Sequence, residues 1–343
     1  MEYRTLGSSG CVVSAFTLGT MTFGHETDEA GAHAQLDAFV AAGGNLIDTA
    51  DVYTPGVSEE IIGRWLARQP ASVRSQVVLT TKGRFAMGPG PNDVGLSRRH
   101  LSDALDASLR RLQVDSVDLY QVHAWDPLTP LEETWGFLDD AVRAGKVRYL
   151  GLSNFAGWQI QKAADLALYR GLARPVTLQP QYNLLVREIE WEIIPACAEN
   201  GLGLLPWSPL GGGWLTGKYT RDERPSGATR LGEDPERGVE AYDRRSTQER
   251  TWNVIDAVQK IATERGVSMA QIALAWVADR PQVTSVILGA RTLEQLEDNL
   301  GACGLHLTAA ETAILDAVSD PAPADYPYGG PGVEQRSRAL HRQ

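Results

Sequence analysis

Cysteine is scarce: the 343 residues hold three, Cys11, Cys197 and Cys303, widely spaced and with no CxxC pair. That argues against a disulfide framework or a zinc site and for a reducing compartment, and no metal is expected. Long hydrophobic runs are missing too, since none approaches the roughly 20 apolar residues of a membrane-spanning helix. The N-terminal MEYRTLGSSG lacks an apolar signal region. The expectation is a soluble, cytoplasmic protein with no membrane partner. Positive charge is short, with 32 Lys and Arg against 43 Asp and Glu, a net −11. Nucleic acid is therefore not expected as a partner, because phosphate binding needs clustered cations. A local cationic pocket for a phosphorylated cofactor is still compatible with that balance. Also absent is a Gly-x-Gly-x-x-Gly turn after the first strand, which an open dinucleotide-binding sheet normally carries. Gly201-Leu-Gly203 runs into a strand, the wrong context.

What is present is an alternation. Short apolar runs rich in β-branched residues occur at Phe16–Gly19, Asn45–Thr49, Val77–Lys82, Val117–His123, Val147–Ser153, Val176–Gln181, Leu202–Trp207 and Ser285–Gly289. Their length suits strands buried on both faces. Helical spacing fills the gaps at Asp28–Ala42, Ser58–Arg68, Ser97–Leu112, Leu131–Ala144, Trp158–Tyr169, Ile189–Glu199, Gln248–Glu264, Met269–Ala278, Leu293–Gly301 and Ala309–Val318. Alternating strands and helices imply right-handed βαβ units and a parallel sheet. The expected fold class is α/β, a (β/α)8 TIM barrel with an N-terminal β-hairpin. Residues 1–320 are expected to form a single catalytic barrel. The polar stretch 219–247 interrupts the cycle as a long loop, either a functional flap or a mobile excursion. Residues 321–343 form a Pro-containing tail, in which Tyr326 and Tyr328 offer partial packing.

Three ionisable residues fall where strands end: Asp48, Lys82 and His123. In a parallel barrel the C-terminal strand ends converge on one face, where catalytic groups collect. Each alone equally suits a structural role: a turn aspartate, a structural lysine, a satisfied core histidine. Together, and with Tyr53 five residues after Asp48, they make a set suited to protonating a carbonyl oxygen. A phenol, with a reference pKa of roughly 10, is a poor acid-base group at neutral pH. A neighbouring Lys82 ammonium is expected to lower that value, with Asp48 holding Lys82 and His123 orienting the carbonyl. Reduction also requires a hydride donor. A decoy lies at Gly212-x4-Gly217-Lys218, which imitates a phosphate-binding loop but has Tyr219 where Ser or Thr is needed.

The segments NLIDTADVY (45–53), LTTKG (79–83), DLYQVH (118–123), GLSNF (151–155), LQPQYN (178–183), WSPLGGGWLTGK (207–218) and GARTLEQLEDN (289–299) span nearly the whole chain. In identity and order they resemble the aldo-keto reductase family, in the branch that includes bacterial general aldo/keto reductases and potassium-channel β subunits. The resemblance implies a TIM barrel without a Rossmann domain, an NADP(H) cofactor, a small-molecule carbonyl substrate and reversible aldehyde or ketone reduction. Its catalytic tetrad falls on Asp48, Tyr53, Lys82 and His123, with Tyr53 as general acid. Cofactor contacts are expected from Thr20, Met21 and Asp48. Ser153, Asn154 and Gln179 offer donors and acceptors to a carboxamide, and Trp207 offers a ring for the nicotinamide. Ser208, Pro209, Leu210, Gly211 and Gly212 form a Gly-rich turn for the pyrophosphate, with Lys218 nearby. Thr292 and Gln295 have capping-box spacing at a helix start, and that helix N-terminus with Gly289 and Arg291 makes a phosphate site. The resemblance places the adenosine 2′-phosphate there, with Gln295, Asp298 and Asn299 toward the adenosine and Arg230 as a further phosphate contact.

The expected substrate pocket has Tyr53 and His123 at its base and Phe23, Phe85, Trp125 and Trp214 around an apolar mouth. Two other functions fit parts of the pattern. Trp207 matches the channel β subunits, a redox-sensing cofactor-binding module, although that branch has Asn where this chain has His123. A Schiff-base aldolase using Lys82 is the other, and it leaves the cofactor segments without a role.

Overall fold

The computed structural model describes residues 1–330 apart from 222, 228, 229, 235–239 and 324, and not the side chains of Arg230 and Glu233. A hairpin of β1 (Tyr3–Thr5) and β2 (Val12–Ser14) precedes β3 (Phe16–Gly19), β4 (Leu46–Asp48), β5 (Val78–Gly83), β6 (Val117–Val122), β7 (Val147–Ser153), β8 (Pro175–Gln179), β9 (Gly203–Leu204) and β10 (Val286–Leu288). The last eight form one parallel sheet in the order β10-β3-β4-β5-β6-β7-β8-β9. Its two edges meet. Leu204 N donates to Gln282 O (2.8 Å), Thr284 N to Leu204 O (2.9 Å) and Ile287 N to Pro206 O (3.0 Å). These bonds close the ring into the expected (β/α)8 barrel.

Around it lie α1 (Glu29–Ala41), α2 (Val57–Arg68), α3 (Ala71–Arg74), α4 (Arg98–Leu112), α5 (Leu131–Arg143), α6 (Gly157–Arg170) and α7 (Ile193–Asn200). After them come α8 (Arg230–Glu233), α9 (Tyr242–Ser246), α10 (Glu249–Arg265), α11 (Met269–Ala278), α12 (Leu293–Leu300) and α13 (Ala309–Ser319). Side chain caps set several starts: Asp28, Ser97, Ser268, Thr292 and Thr308 each accept a backbone N–H of the first turn. No helix among the described residues is long and apolar enough to cross a membrane.

Strand residues alternate between two cores. Leu46, Val78, Leu119, Val176, Leu205 and Ile287 pack inside the barrel with Leu6 and Val13 of the hairpin, which plugs its N-terminal end. Gly7 makes that plug possible: at φ +55° it lies so near β8 that a Cβ would sit 1.9 Å from Val176 O. Ile47, Leu79, Tyr120 and Val122 face outward onto Leu36, Ile62, Leu105 and Trp135 of the helices. The alternation that seats Leu46, Thr80 and Leu119 inward also turns Asp48, Lys82 and Gln121 inward, two residues nearer the C-terminal end.

Differences from the sequence pattern have local causes. The strand expected over Leu202–Trp207 keeps only Gly203–Leu204, because Pro206 has no N–H to donate, and Trp207 rejoins the sheet through one bridge to Gln181. The helix expected from Ile189 begins at Ile193, after a 3-10 turn at Glu188–Glu190. Pro195 is tolerated only in a first turn, which fixes that start. Helix α3 is too short to show a period. The described ends of 219–247 fold back onto the body, with Tyr242 stacked on Trp214 at 5.4 Å. In the tail, Tyr328 stacks on Trp191 at 5.6 Å and donates to Glu192 Oε2 (2.7 Å), while Tyr326 is exposed. Residues 331–343 lie outside the described residues.

Candidate active site

The inward polar residues meet at the C-terminal mouth. Lys82 Nζ donates to Asp48 Oδ2 (2.6 Å), Thr49 O (2.8 Å) and Tyr53 Oη (3.2 Å). Asp48 Oδ1 accepts from Gln121 Nε2 (3.1 Å) and Gln179 Nε2 (2.9 Å). Both partners of this ion pair are buried, with Lys82 at 0% and Asp48 at 2% exposure. Burial works against the Lys82 charge, but Asp48 and then Tyr53 more than offset it and hold the ammonium above its ordinary pKa. Lys82 is therefore a fixed cation.

Tyr53 departs from expectation. Burial pushes its phenol above the ordinary value, outweighing the downward pull of Lys82, and Asp48 adds to the rise. The hydroxyl keeps its proton at neutral pH, the state an acid needs. The loop that carries it is tied down: Thr49 and Ser58 hydroxyls lie 3.0 Å apart, Ser58 Oγ donates to Thr20 O (3.0 Å), and Thr20 Oγ1 donates to Asp48 O (2.9 Å).

His123 follows β6, two residues beyond Gln121, with its backbone N donating to Gly83 O (3.2 Å). Burial, then Lys82 and Arg84, push its imidazole down to about 2, so it is neutral. Its Nδ1 is buried without a hydrogen-bond partner among the described residues. Phe85 stands edge-on to the imidazole at 4.7 Å and Tyr53 at 6.0 Å.

A polar shelf extends from this centre. Ser153 Oγ donates to Gln179 O (2.9 Å), Asn154 Nδ2 donates to His123 O (3.0 Å), and Trp207 Nε1 donates to Asn154 Oδ1 (3.1 Å). Beyond it Gly211, Gly212 and Gly213 all take positive φ, 58°, 65° and 100°. Only glycine adopts such a run freely, and it opens backbone to a close-lying group. Lys218 lies along the turn, its Cε 3.0 Å from where a Gly213 Cβ would stand. Partial burial and the positive charge of Arg291 both depress the Lys218 ammonium. Arg291 N donates to Gln295 Oε1 (2.9 Å), and Gln295 N to Thr292 Oγ1 (3.3 Å), at the start of α12.

A sequence model of the aldo/keto reductase family matches residues 15–320. The chain belongs to the aldo/keto reductase family. It is 39% identical over 342 residues to an uncharacterized oxidoreductase of Bacillus subtilis, covering 97% of this chain and 98% of that one. It is 40% identical over 307 residues to a probable voltage-gated potassium channel subunit beta of Oryza sativa, covering 88% and 91%. It is 35% identical over 322 residues to L-glyceraldehyde 3-phosphate reductase of Escherichia coli, covering 92% of each. As a member of this family the protein is an oxidoreductase of the aldo-keto reduction class, acting on small carbonyl compounds.

Within this aldo/keto reductase the residues singled out from the sequence are distributed as follows. Asp48, Tyr53, Lys82 and His123 come together, with Gln179, Ser153 and Asn154 beside them. Thr20 is buried and bonded to Asp48 O, and Met21 next to it is exposed. Ser208 turns through positive φ at the head of the Gly-rich segment. Pro209 and Leu210 continue it. Asp298 turns away toward α11, accepting from Ser268 Oγ (2.9 Å) and Gln271 Nε2 (2.9 Å). Asn299 is buried with Nδ2 near Gly289 O (3.4 Å). The Arg230 side chain lies outside the described residues. Phe23 and Trp214 are corrections: both are fully buried in the strand–helix core rather than at a mouth. Trp214 is enclosed by Tyr219, Tyr242 and Trp252 and donates to Glu240 O (3.0 Å). Phe85 stays at His123, and Trp125 is half-buried, edge-on to Phe155 and Trp158.

The sequence pattern does not single out Gln121, although its place two residues before His123 puts both on the same face. Nor does it single out a cluster behind the barrel wall. Glu59 of α2, fully buried, accepts from Thr81 Oγ1 (2.5 Å) and Arg111 Nε (2.7 Å). Asp51 is fully buried beside it, and neither its carboxyl oxygens nor the Tyr120 hydroxyl has a hydrogen-bond partner of good geometry among the described residues. Burial, then the Glu59 charge, raise Asp51 from 3.8 to about 7 against the pull of the Val52 backbone N–H and then of Arg111 and Lys82. Folding thus favours the protonated acid: its contribution is intact near pH 4 and is lost as pH rises through 7. By linkage the loss is on the order of 4 kcal/mol. Asp51→Asn is therefore expected to be more stable than the parent at pH 8 and to gain little at pH 4 in urea unfolding. A parent–variant gap that does not change between those pH values contradicts the assignment.

Proposed function

We propose that this protein is an NADP(H)-dependent reductase that converts aldehydes or ketones to alcohols, with Tyr53 as general acid. One observation carries the reading: the Lys82 ammonium, anchored on Asp48, reaches the hydroxyl of a tyrosine that holds its proton. The neutral His123, free to place a ring N–H toward the open side, orients the carbonyl oxygen between itself and Tyr53. As Tyr53 gives up its proton, the fixed Lys82 charge stabilises the phenolate that forms, and Asp48 with Gln121 and Gln179 keeps that charge in place. Residues 1–320 act as one catalytic barrel, with 321–343 a tail.

The residues present fit a dinucleotide with an extra phosphate. Two cations, Lys218 and Arg291, are near enough for one to depress the other, beside three consecutive glycines and a helix start, which suits an anionic group. Ser153, Asn154, Gln179 and Trp207 would hold the nicotinamide end. Thr20 and Met21 flank it, and Ser208 through Gly212 with Lys218 hold the pyrophosphate. Gly289, Arg291, Gln295 and Asn299 take the adenosine end. When bound, this cofactor supplies the hydride. The test is carbonyl-dependent loss of NADPH absorbance across a carbonyl panel. Arg291→Ala is expected to raise KM for NADPH about tenfold or more, the value of one charge-assisted hydrogen bond, with a much smaller change for NADH. Equal effects on both cofactors would place Arg291 elsewhere.

The channel-subunit relatives favour a second reading, cofactor binding with negligible turnover. Tight NADPH binding with no oxidation by any carbonyl would select it. The aldolase reading is weakened, because Lys82 stays charged and a Schiff-base lysine must be neutral.

A further inference from the structure

We infer that Arg84 is a specificity-determining residue that recognises an anionic group on the carbonyl substrate; this rests on the reductase reading above. Arg84 follows directly on β5, two residues past Lys82, on the face where the strand ends converge. Its guanidinium lies 5.0 Å from the Phe85 ring centroid, and Phe85 is itself edge-on to His123 at 4.7 Å. On the other side Nη2 donates to Trp125 O at 3.4 Å. The cation is therefore held between Phe85, the aromatic ring nearest the histidine that orients the carbonyl, and the backbone carbonyl of Trp125.

Its bonding is incomplete. A guanidinium carries five N–H donors. Among the described residues Arg84 uses one, in a long bond, and its Nε is buried with no partner. Arg64, Arg111 and Arg187 are by contrast each paired with a carboxylate at 2.7–2.9 Å. The Asp126 carboxylate feels the Arg84 charge but spends its oxygens on Leu96 N (2.9 Å), Leu128 N (2.9 Å) and Thr129 Oγ1 (2.7 Å). No ion pair of Arg84 forms among the described residues. A half-buried cation left this way is costly. A carboxylate or phosphate on the substrate supplies the acceptors in the planar, two-pronged geometry that arginine matches.

The substrate class is thus an aldehyde or ketone carrying an anion, such as an oxo-carboxylate or a phosphorylated aldose. The stacking of Arg84 on Phe85 is the purely structural alternative, and the test separates the two. Matched pairs are compared in the full-length protein with NADPH: an ω-oxo carboxylate against the aldehyde of equal chain length, and a phosphorylated aldose against the free aldose. The parent is expected to favour the charged member of at least one pair, which also tells carboxylate from phosphate. Arg84→Gln is expected to reduce that kcat/KM ratio about tenfold or more, and Arg84→Lys to restore part of it. Direct titration of the charged member, followed by Tyr and Trp fluorescence, is expected to show the same loss of affinity without any turnover. If no carbonyl oxidises NADPH yet the titration still depends on Arg84, the reductase reading fails and the anion site stands. No preference in the parent, or equal losses on both members of a pair, overturns the proposal.

Discussion

Replacing Tyr53 with phenylalanine is expected to lower kcat about a thousandfold, the middle of the range for losing a positioned acid. Binding should survive. The ring remains to pack against His123, and the loop is held by Thr20, Thr49 and Ser58, none of which uses the phenol. Lys82 keeps its bonds to Asp48 and Thr49 O. NADPH affinity measured by fluorescence quenching should therefore move little while turnover collapses. Turnover within tenfold of the parent would remove Tyr53 from the acid role. Because burial raises the Tyr53 pKa, the parent should also hold its reductase rate across neutral pH and lose it only in alkaline solution.

Lys82→Met is expected to be as damaging to activity and also to cost about 3–5 kcal/mol of stability, because it strands a buried carboxylate. Asp48 would then have only the amides of Gln121 and Gln179. Adding Asp48→Asn removes the stranded charge, so the double variant should be more stable than Lys82→Met alone although equally inactive. Chemical unfolding of parent, both single variants and the double variant checks this as a cycle. A double variant no more stable than Lys82→Met would mean the pair is not the buried unit described.

Much of this site was legible as parity along strands. Asp48, Lys82 and His123 close apolar runs, and period two then fixes their common face with Leu46, Thr80 and Leu119. The same rule contained Gln121, but amides in strands draw less notice than charges. Burial was not legible, and it reverses the direction expected for Tyr53: the lysine is where it should be, yet desolvation outweighs it. Aromatic loop residues misled for a related reason. Phe23 and Trp214 have the composition of a substrate mouth and the placement of core. The Asp51–Glu59 pair depends on how α2 and α4 lie against the barrel wall, which no spacing encodes. The meeting of Lys218 with Arg291, more than seventy positions apart, follows only from ring closure between β9 and β10.

The most direct test of the central claim is isotope transfer. NADPH carrying deuterium at both C4 positions of the nicotinamide is incubated with the protein and a carbonyl compound, and the product is analysed by mass spectrometry. The account predicts one deuterium on the new carbinol carbon for each cofactor oxidised, with the label nearly absent from the Tyr53→Phe reaction. An unlabelled alcohol, or borohydride trapping of the carbonyl on Lys82, would contradict it.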